Sequence, residues 1–207
     1  MDLPLPRSLK DGLQRLILKA DSGAPEAIGL CEDLEHDLLT ELSSFGFFAV
    51  PPSRTDFYDS GPEKWFSLKA RQKFSSAERD MRDACQCFAL AQWTASVFHS
   101  MRVLELVFRA LARHVNATLK EDLDYADWAA LSKAVQKKID EEHQKSRGKA
   151  KTEELEFLAR CALDLDHFGD AWRHSVCHAR GQYDDRIARE VLDQVRALTE
   201  RLAARMQ

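Results

Sequence analysis

Asp170-Ala171-Trp172-Arg173-His174-Ser175-Val176-Cys177-His178-Ala179-Arg180-Gly181-Gln182-Tyr183 concentrates proton-transfer groups, cations and aromatic rings more densely than any other stretch of the chain. Two of the seven histidines fall inside it, and His167 lies just upstream. The stretch also reads as the end of a long helix starting near Thr152. Leu155, Leu158, Cys161 or Ala162, Leu165, Phe168 or Gly169, and Trp172 recur at helical spacing, and Gly181 suits the position just past a helix end. On such a helix His174 and His178, four apart, share a face. Arg173 and His178 are five apart and point about 140° away from each other. They converge only if the helix ends or bends near Gly181, or if a second copy of the chain supplies the missing group.

Downstream, Asp184 is placed to cap a last helix whose seam is Ile187, Val191, Val195, Leu198 and Leu202. Upstream, Tyr125 to about His143 carries Trp128, Leu131, Val135 and Ile139 at helical spacing. The basic run from Gln144 to Lys151 then reads as a solvated linker that can brush a phosphate backbone. Ser75-x-x-Glu78 has the spacing of a capping box. From there to Val115 no breaker appears, and Met81, Ala84, Phe88, Ala91, Ala95, Phe98, Met101, Leu104 and Leu111 keep helical spacing. Forty residues of helix would be about 60 Å long, so a kink or break is expected within it.

Nearer the start, residues 8–20 and 25–43 read as a helical pair. Phe45 to Pro52 reads as a short strand or an apolar strap. A loop over 51–62 is anchored by Phe57 and Tyr58, and Glu63 to Phe74 reads as a short helix. The expected class is all-α, a helical bundle of about four main helices (75–115, 125–143, 153–180, 185–206) with an N-terminal helical extension. The expected division is residues 1–62, packed on the main domain, and residues 63–207, the bundle itself.

Composition agrees with an ordinary globular protein: 44% apolar, 31% charged, and only 8 Gly and 6 Pro in 207 residues, which favours helices over turn-rich sheets. The net charge of −4 provides no global attraction for nucleic acid or an anionic membrane, so any RNA contact must be a local patch. Five cysteines with no CxxC pair read as small core hydrophobes in a reducing cytoplasm. The first residues lack the apolar core of a secretory leader, and no apolar run approaches a membrane span.

Arg173, a polar His174, three further residues and His178 resemble the Arg-polar-x3-His motif of HEPN domains. These are all-helical modules of bacterial and archaeal toxins, abortive-infection proteins and RNA-processing enzymes. The run from Ala91 through Met101-Arg102-Val103-Leu104-Glu105 is similar to their long second-element helix. The resemblance implies an HEPN-like bundle and a metal-independent endoribonuclease with no cofactor, acting on RNA as a prokaryotic toxin or defence protein. It further implies a homodimer in which each protomer lends an Arg and a His to one composite cleft, and an antitoxin partner that restrains it. Two positions depart from the family pattern. The polar position is His rather than Asn or Asp. Where some HEPN toxins carry a Tyr two residues after the His, modified by a partner nucleotidyltransferase, this chain has Arg180, and the nearest Tyr is Tyr183.

The chemistry needs a base for the ribose 2′-hydroxyl, an acid for the leaving 5′-oxygen, and a cation for charge building on phosphorus. His178 suits the first two roles and the Arg173 fork the third. His174 would hold substrate or orient its neighbours. Glu105 is a candidate to orient Arg173 or a histidine, or else forms an intramolecular surface salt bridge. Arg102, Asp170 and Trp172 complete the supporting set. Two other readings stand beside this one. One is a non-catalytic dimerisation or binding module built on Arg173, His174 and Trp172. The other is a helical-bundle metal site drawn from Asp164, His167, Asp170, His174, Cys177 and His178. The adjacent Cys177 and His178 diverge by about 100° on a helix, so Cys177 reads as a core thiol rather than a nucleophile.

Overall fold

The computed structural model describes residues 11, 12, 14, 15, 17, 26–43, 49–119, 122–145, 148–177 and 183–206, with the backbone alone at 26–28, 30, 149–151, 174 and 177. All regular structure among them is helical, and the chain divides into two compact units, Met1–Phe48 and Ala49–Gln207. In the first unit, α1 spans Glu26–Ser43. Gly12 is helical too, and a Cβ there would meet the Leu34 side chain, so the two helical stretches run in close contact.

The boundary after Phe48 assigns residues 49–62 to the second unit, where the sequence had suggested the first. The reason is burial: α2 (Thr55–Asp59) sets the buried Phe57 between Trp65 and Phe88, at centroid distances of 4.6 and 4.8 Å. Tyr58, the other expected anchor, stays exposed. The short helix expected over 63–74 is two helices, α3 (Gly61–Trp65) and α4 (Leu68–Lys73). Ser67 separates them, its Oγ accepting the Ala70 N–H as an N-cap.

The expected break in the long helix falls at Leu90–Gln92. It divides α5 (Glu78–Ala89) from α6 (Trp93–His114). Ala91 sits in the left-handed region at φ 60°, its N–H bonding to Phe88 O and that of Gln92 to Cys87 O. This is a Schellman ending with Ala where Gly is usual. The capping box does not form: Ser75–Ala77 is a 3-10 turn, and α5 starts with no side-chain cap.

α5 and α6 therefore fold back as an antiparallel hairpin, fastened by Ser96 Oγ donating to Ala84 O at 2.9 Å. α7 (Trp128–Lys145) and α8 (Lys149–Phe168) form a second hairpin against α6. A five-residue π turn (Gly169–Arg173) and the short α9 (His174–Cys177) continue α8. α10 (Asp185–Arg205) then returns along α6. It begins as expected, with Asp184 accepting the Ile187 N–H at 2.8 Å. Its seam residues Val191, Val195, Leu198 and Leu202 are buried with Met81, Val97, Met101, Leu104, Phe108, Leu131 and Leu165 in one core. Burial pushes the Cys85 thiol up to about 12 and the Cys161 thiol up to about 11, so both are inert core thiols at neutral pH. Cys31, by contrast, is exposed. No described helix is long and apolar enough to cross a membrane.

Candidate functional site

The π turn is what aims Arg173. In a continued α-helix, residue 173 would point about 140° away from the buried Phe168. The i→i+5 bonding of a π turn instead stacks residues five apart, which swings Arg173 toward the inner face. There its Nε lies 3.5 Å from Glu105 Oε2 on α6, and its guanidinium carbon is 5.8 Å from the centroid of the Trp128 ring. Glu105 and Arg173, paired in the sequence reading as one possibility, are thus brought together.

Glu105 is itself fixed from the other side. Its Oε1 accepts from Arg109 Nη2 at 2.7 Å, and Arg109 Nε donates to Leu123 O. Each carboxylate oxygen faces one arginine. The Arg109 contact has the length of a strong charge-assisted bond, and the Arg173 contact is longer.

Trp128 forms the floor. The sequence marked it only as a core residue; nothing local showed that a cation would rest on it. Gly169 opens the π turn because Trp128 leaves no room for a side chain: a Cβ there would lie 2.8 Å from Trp128 Cδ1 and Cε2 and nearer still to Nε1. That Nε1 is sealed from solvent with no hydrogen-bond partner among the described residues.

Arg173, Trp128, Gly169, Asp127, Asp166 and Asp170 line a groove of about 540 Å³. Its described walls hold three carboxylates and one guanidinium, so an RNA phosphate can sit there only if further cations join. Trp172 is half-buried, its ring 6.4 Å from that of Tyr183. The His174 side chain, the Cys177 side chain and all of His178, Arg180 and Gly181 lie outside the described residues.

Arg102, one turn before Glu105 on α6 and near enough to feel its charge, makes its hydrogen bond elsewhere. Its Nε donates to Asp80 Oδ1 at 2.7 Å, and His99 Nδ1 lies 2.9 Å from the same oxygen. Asp80 is the buried carboxylate of α5, only 6% exposed. Burial alone would raise its carboxyl, but the hydrogen bonds and charges of Arg102 and His99 outweigh that and hold it below its ordinary value. In return, the hydrogen bond to Asp80 raises Arg102. Sequence reasoning missed this cluster. One signal would have found it: Asp80 and Arg102 each lie eleven residues from Ala91, so folding the hairpin there sets them opposite each other.

Of the metal ligands suggested by the sequence, the His174 and Cys177 side chains and all of His178 lie outside the described residues. Asp164 is engaged by Arg201 Nη2 at 2.6 Å. Among the described residues, the group whose atoms approach closely enough to hold an ion is Asp80, Asp83 and His99, and there Asp80 is already bonded to Arg102.

Against known proteins, no family model matches the sequence, no curated protein matches it, and no solved structure matches the fold.

Proposed function

We propose that the chain is a metal-independent endoribonuclease of HEPN type, with Arg173 binding the scissile phosphate and His178 moving the proton. The observation that carries this reading is the π turn, which presents a half-exposed arginine at a groove and orients it with Glu105 and Trp128. π turns inside helices recur at functional sites. An arginine needed only for stability would sit closer to its carboxylate, as Arg109 does.

The anionic walls of the groove support a composite cleft. With three aspartates against one arginine, the phosphate needs cations from the residues following Arg173 and from a second protomer. In this reading the two copies pair through the α8–α9 region, and each contributes an Arg and a His. The base takes the 2′-hydroxyl proton, the oxygen attacks phosphorus, and the 5′-oxygen leaves with a proton, giving a 2′,3′-cyclic phosphate and a 5′-hydroxyl. A toxin or defence role, restrained by a partner protein, belongs to the same proposal.

The same acidic walls favour a second reading, a binding module in which Glu105 and Trp128 merely fasten Arg173. Purified protein incubated with a mixed RNA pool in EDTA separates the two, run beside an Arg173→Ala/His178→Ala variant matched for folding and oligomeric state. The nuclease reading expects cutting by the wild type alone, with cyclic-phosphate ends. No cutting by either protein supports the binding module, and equal cutting by both removes these residues from the site.

A further inference from the structure

A second groove, of about 490 Å³, lies at the other end of α6, walled by Arg54, Phe88, Trp93, Asp185, Arg186 and Arg189. Twelve residues of helix separate Trp93 from Glu105, about 18 Å along α6, so this groove is remote from Arg173.

Among the described residues, two of its arginines, Arg54 and Arg186, have no carboxylate partner. Arg71 meets Glu63 and Glu78, and Arg109 meets Glu105. Arg54 lies over the Trp93 ring, 5.0 Å from its centroid, and its Nη1 is sealed from solvent with no acceptor among the described residues. The backbone holds it there: its own N–H bonds to Pro51 O at 2.8 Å, closing the 3-10 turn Pro52–Arg54. A guanidinium N–H withdrawn from water with nothing to receive it costs stability, and a shift of the fork toward the groove would let an incoming oxygen acceptor remove that cost. Arg186 is exposed and makes no ion pair among the described residues. Arg189 is tied to Asp193 at 3.0 Å and lies over Trp65 and Phe57.

The groove also opens on the first turn of α10. Asp184 takes the Ile187 N–H, but the amides of Asp185 and Arg186 have no acceptor within the helix. Arg54 and Arg186 stand against one groove carboxylate, Asp185, while Arg189 is engaged by Asp193. The chemistry that satisfies such a set is a compact oxyanion with several acceptor oxygens.

We propose that this groove is a phosphate-binding site, in which Arg54 and Arg186 hold the oxygens of a phosphate group borne by a nucleotide or by an oligonucleotide strand. The inference does not rest on the nuclease reading. It leaves Trp93 and Phe88 as the apolar wall beside the phosphate, and Asp185 as the group that weakens binding.

The test titrates the full chain, in EDTA and at low ionic strength, with inorganic phosphate, with AMP and with a labelled single-stranded RNA decamer. At least one probe should bind. Its affinity should fall tenfold or more in Arg54→Gln/Arg186→Ala and rise in Asp185→Asn. Arg186 is exposed, so Arg186→Ala alone also serves should the double variant melt early. Binding of phosphate and AMP would mark a small phosphorylated ligand, and binding of the decamer alone a strand. Either outcome supports the site. No binding by any probe, or equal affinity in wild type and Arg186→Ala with no gain in Asp185→Asn, overturns it.

Discussion

Asp80 and Glu105 each face two basic groups, yet they are held in different ways. Asp80 is almost fully buried, and one oxygen takes both His99 and Arg102 at 2.9 and 2.7 Å. Glu105 is about a quarter exposed and divides its oxygens, 2.7 Å to Arg109 and 3.5 Å to Arg173. The first arrangement is tight: both contacts are short and the carboxylate is almost entirely withdrawn from solvent. The second leaves one arginine loosely held at the edge of a groove. Short, buried pairs hold helices together, whereas an arginine kept in place by a longer contact and a ring face is available to something else.

The largest expected effect on stability tests the closed cluster. Asp80→Ala leaves His99 and Arg102 without their acceptor. Arg102 is half-exposed and can recover water, so the loss should be about 2–3 kcal/mol, below that of a fully buried pair. Urea unfolding measures it. The pH dependence has a defined sign. The Asp80 carboxyl is depressed in the folded state, so its contribution is fully present above the ordinary carboxylate value, near about 3.9, and is lost as pH falls through the folded value. The stability gap between wild type and Asp80→Asn should therefore narrow as pH drops below about 4. A gap that stays constant would remove the ion pair from the account.

A smaller loss, about 1–2 kcal/mol, is expected from Gly169→Ala, because the added methyl must displace the Trp128 ring. This variant also probes the open site: moving Trp128 moves the surface under Arg173, so RNA cleavage should fall along with the melting temperature. Unchanged melting would mean that the π turn tolerates a side chain. The smallest effect is a gain. Ala91→Gly relieves a left-handed alanine between α5 and α6, and unfolding should show about 0.5–1 kcal/mol of added stability, with the Asp80 cluster and the groove unaffected.

Much of the helical layout can be read from spacing alone. The α10 seam and its Asp184 cap follow from Ile187, Val191 and Val195 recurring on one stripe behind an aspartate. The break inside 75–115 was legible from length, though not its position. Leu90-Ala91-Gln92 contains neither Gly nor Pro, and Ala91 takes a conformation that its residue type does not advertise. The π turn was invisible for a related reason: Leu165, Phe168 and Trp172 fit an ordinary α stripe, and the extra residue appears only when Gly169 is pressed against Trp128. Of the candidate site, the Arg173–Glu105 pair was within reach because a carboxylate on the long helix is the natural partner of a cation on the motif stretch. Trp128 as its floor was not, since a ring that packs and a ring that carries a cation have the same sequence signature. The Asp80 partner of Arg102 was missed, because it becomes visible only after the hairpin is folded.

The central claim is that Arg173 serves the chemistry and Arg102 serves the fold. It is tested most directly by single-turnover RNA cleavage in EDTA by Arg173→Ala and Arg102→Ala side by side, each with its unfolding curve. The account predicts that Arg173→Ala loses about 10²–10³-fold in rate while melting like the wild type. Arg102→Ala should cleave at nearly the wild-type rate while melting earlier. Equal rates for the wild type and Arg173→Ala, or a loss confined to Arg102→Ala, would contradict it, as would a wild-type protein that cuts no RNA.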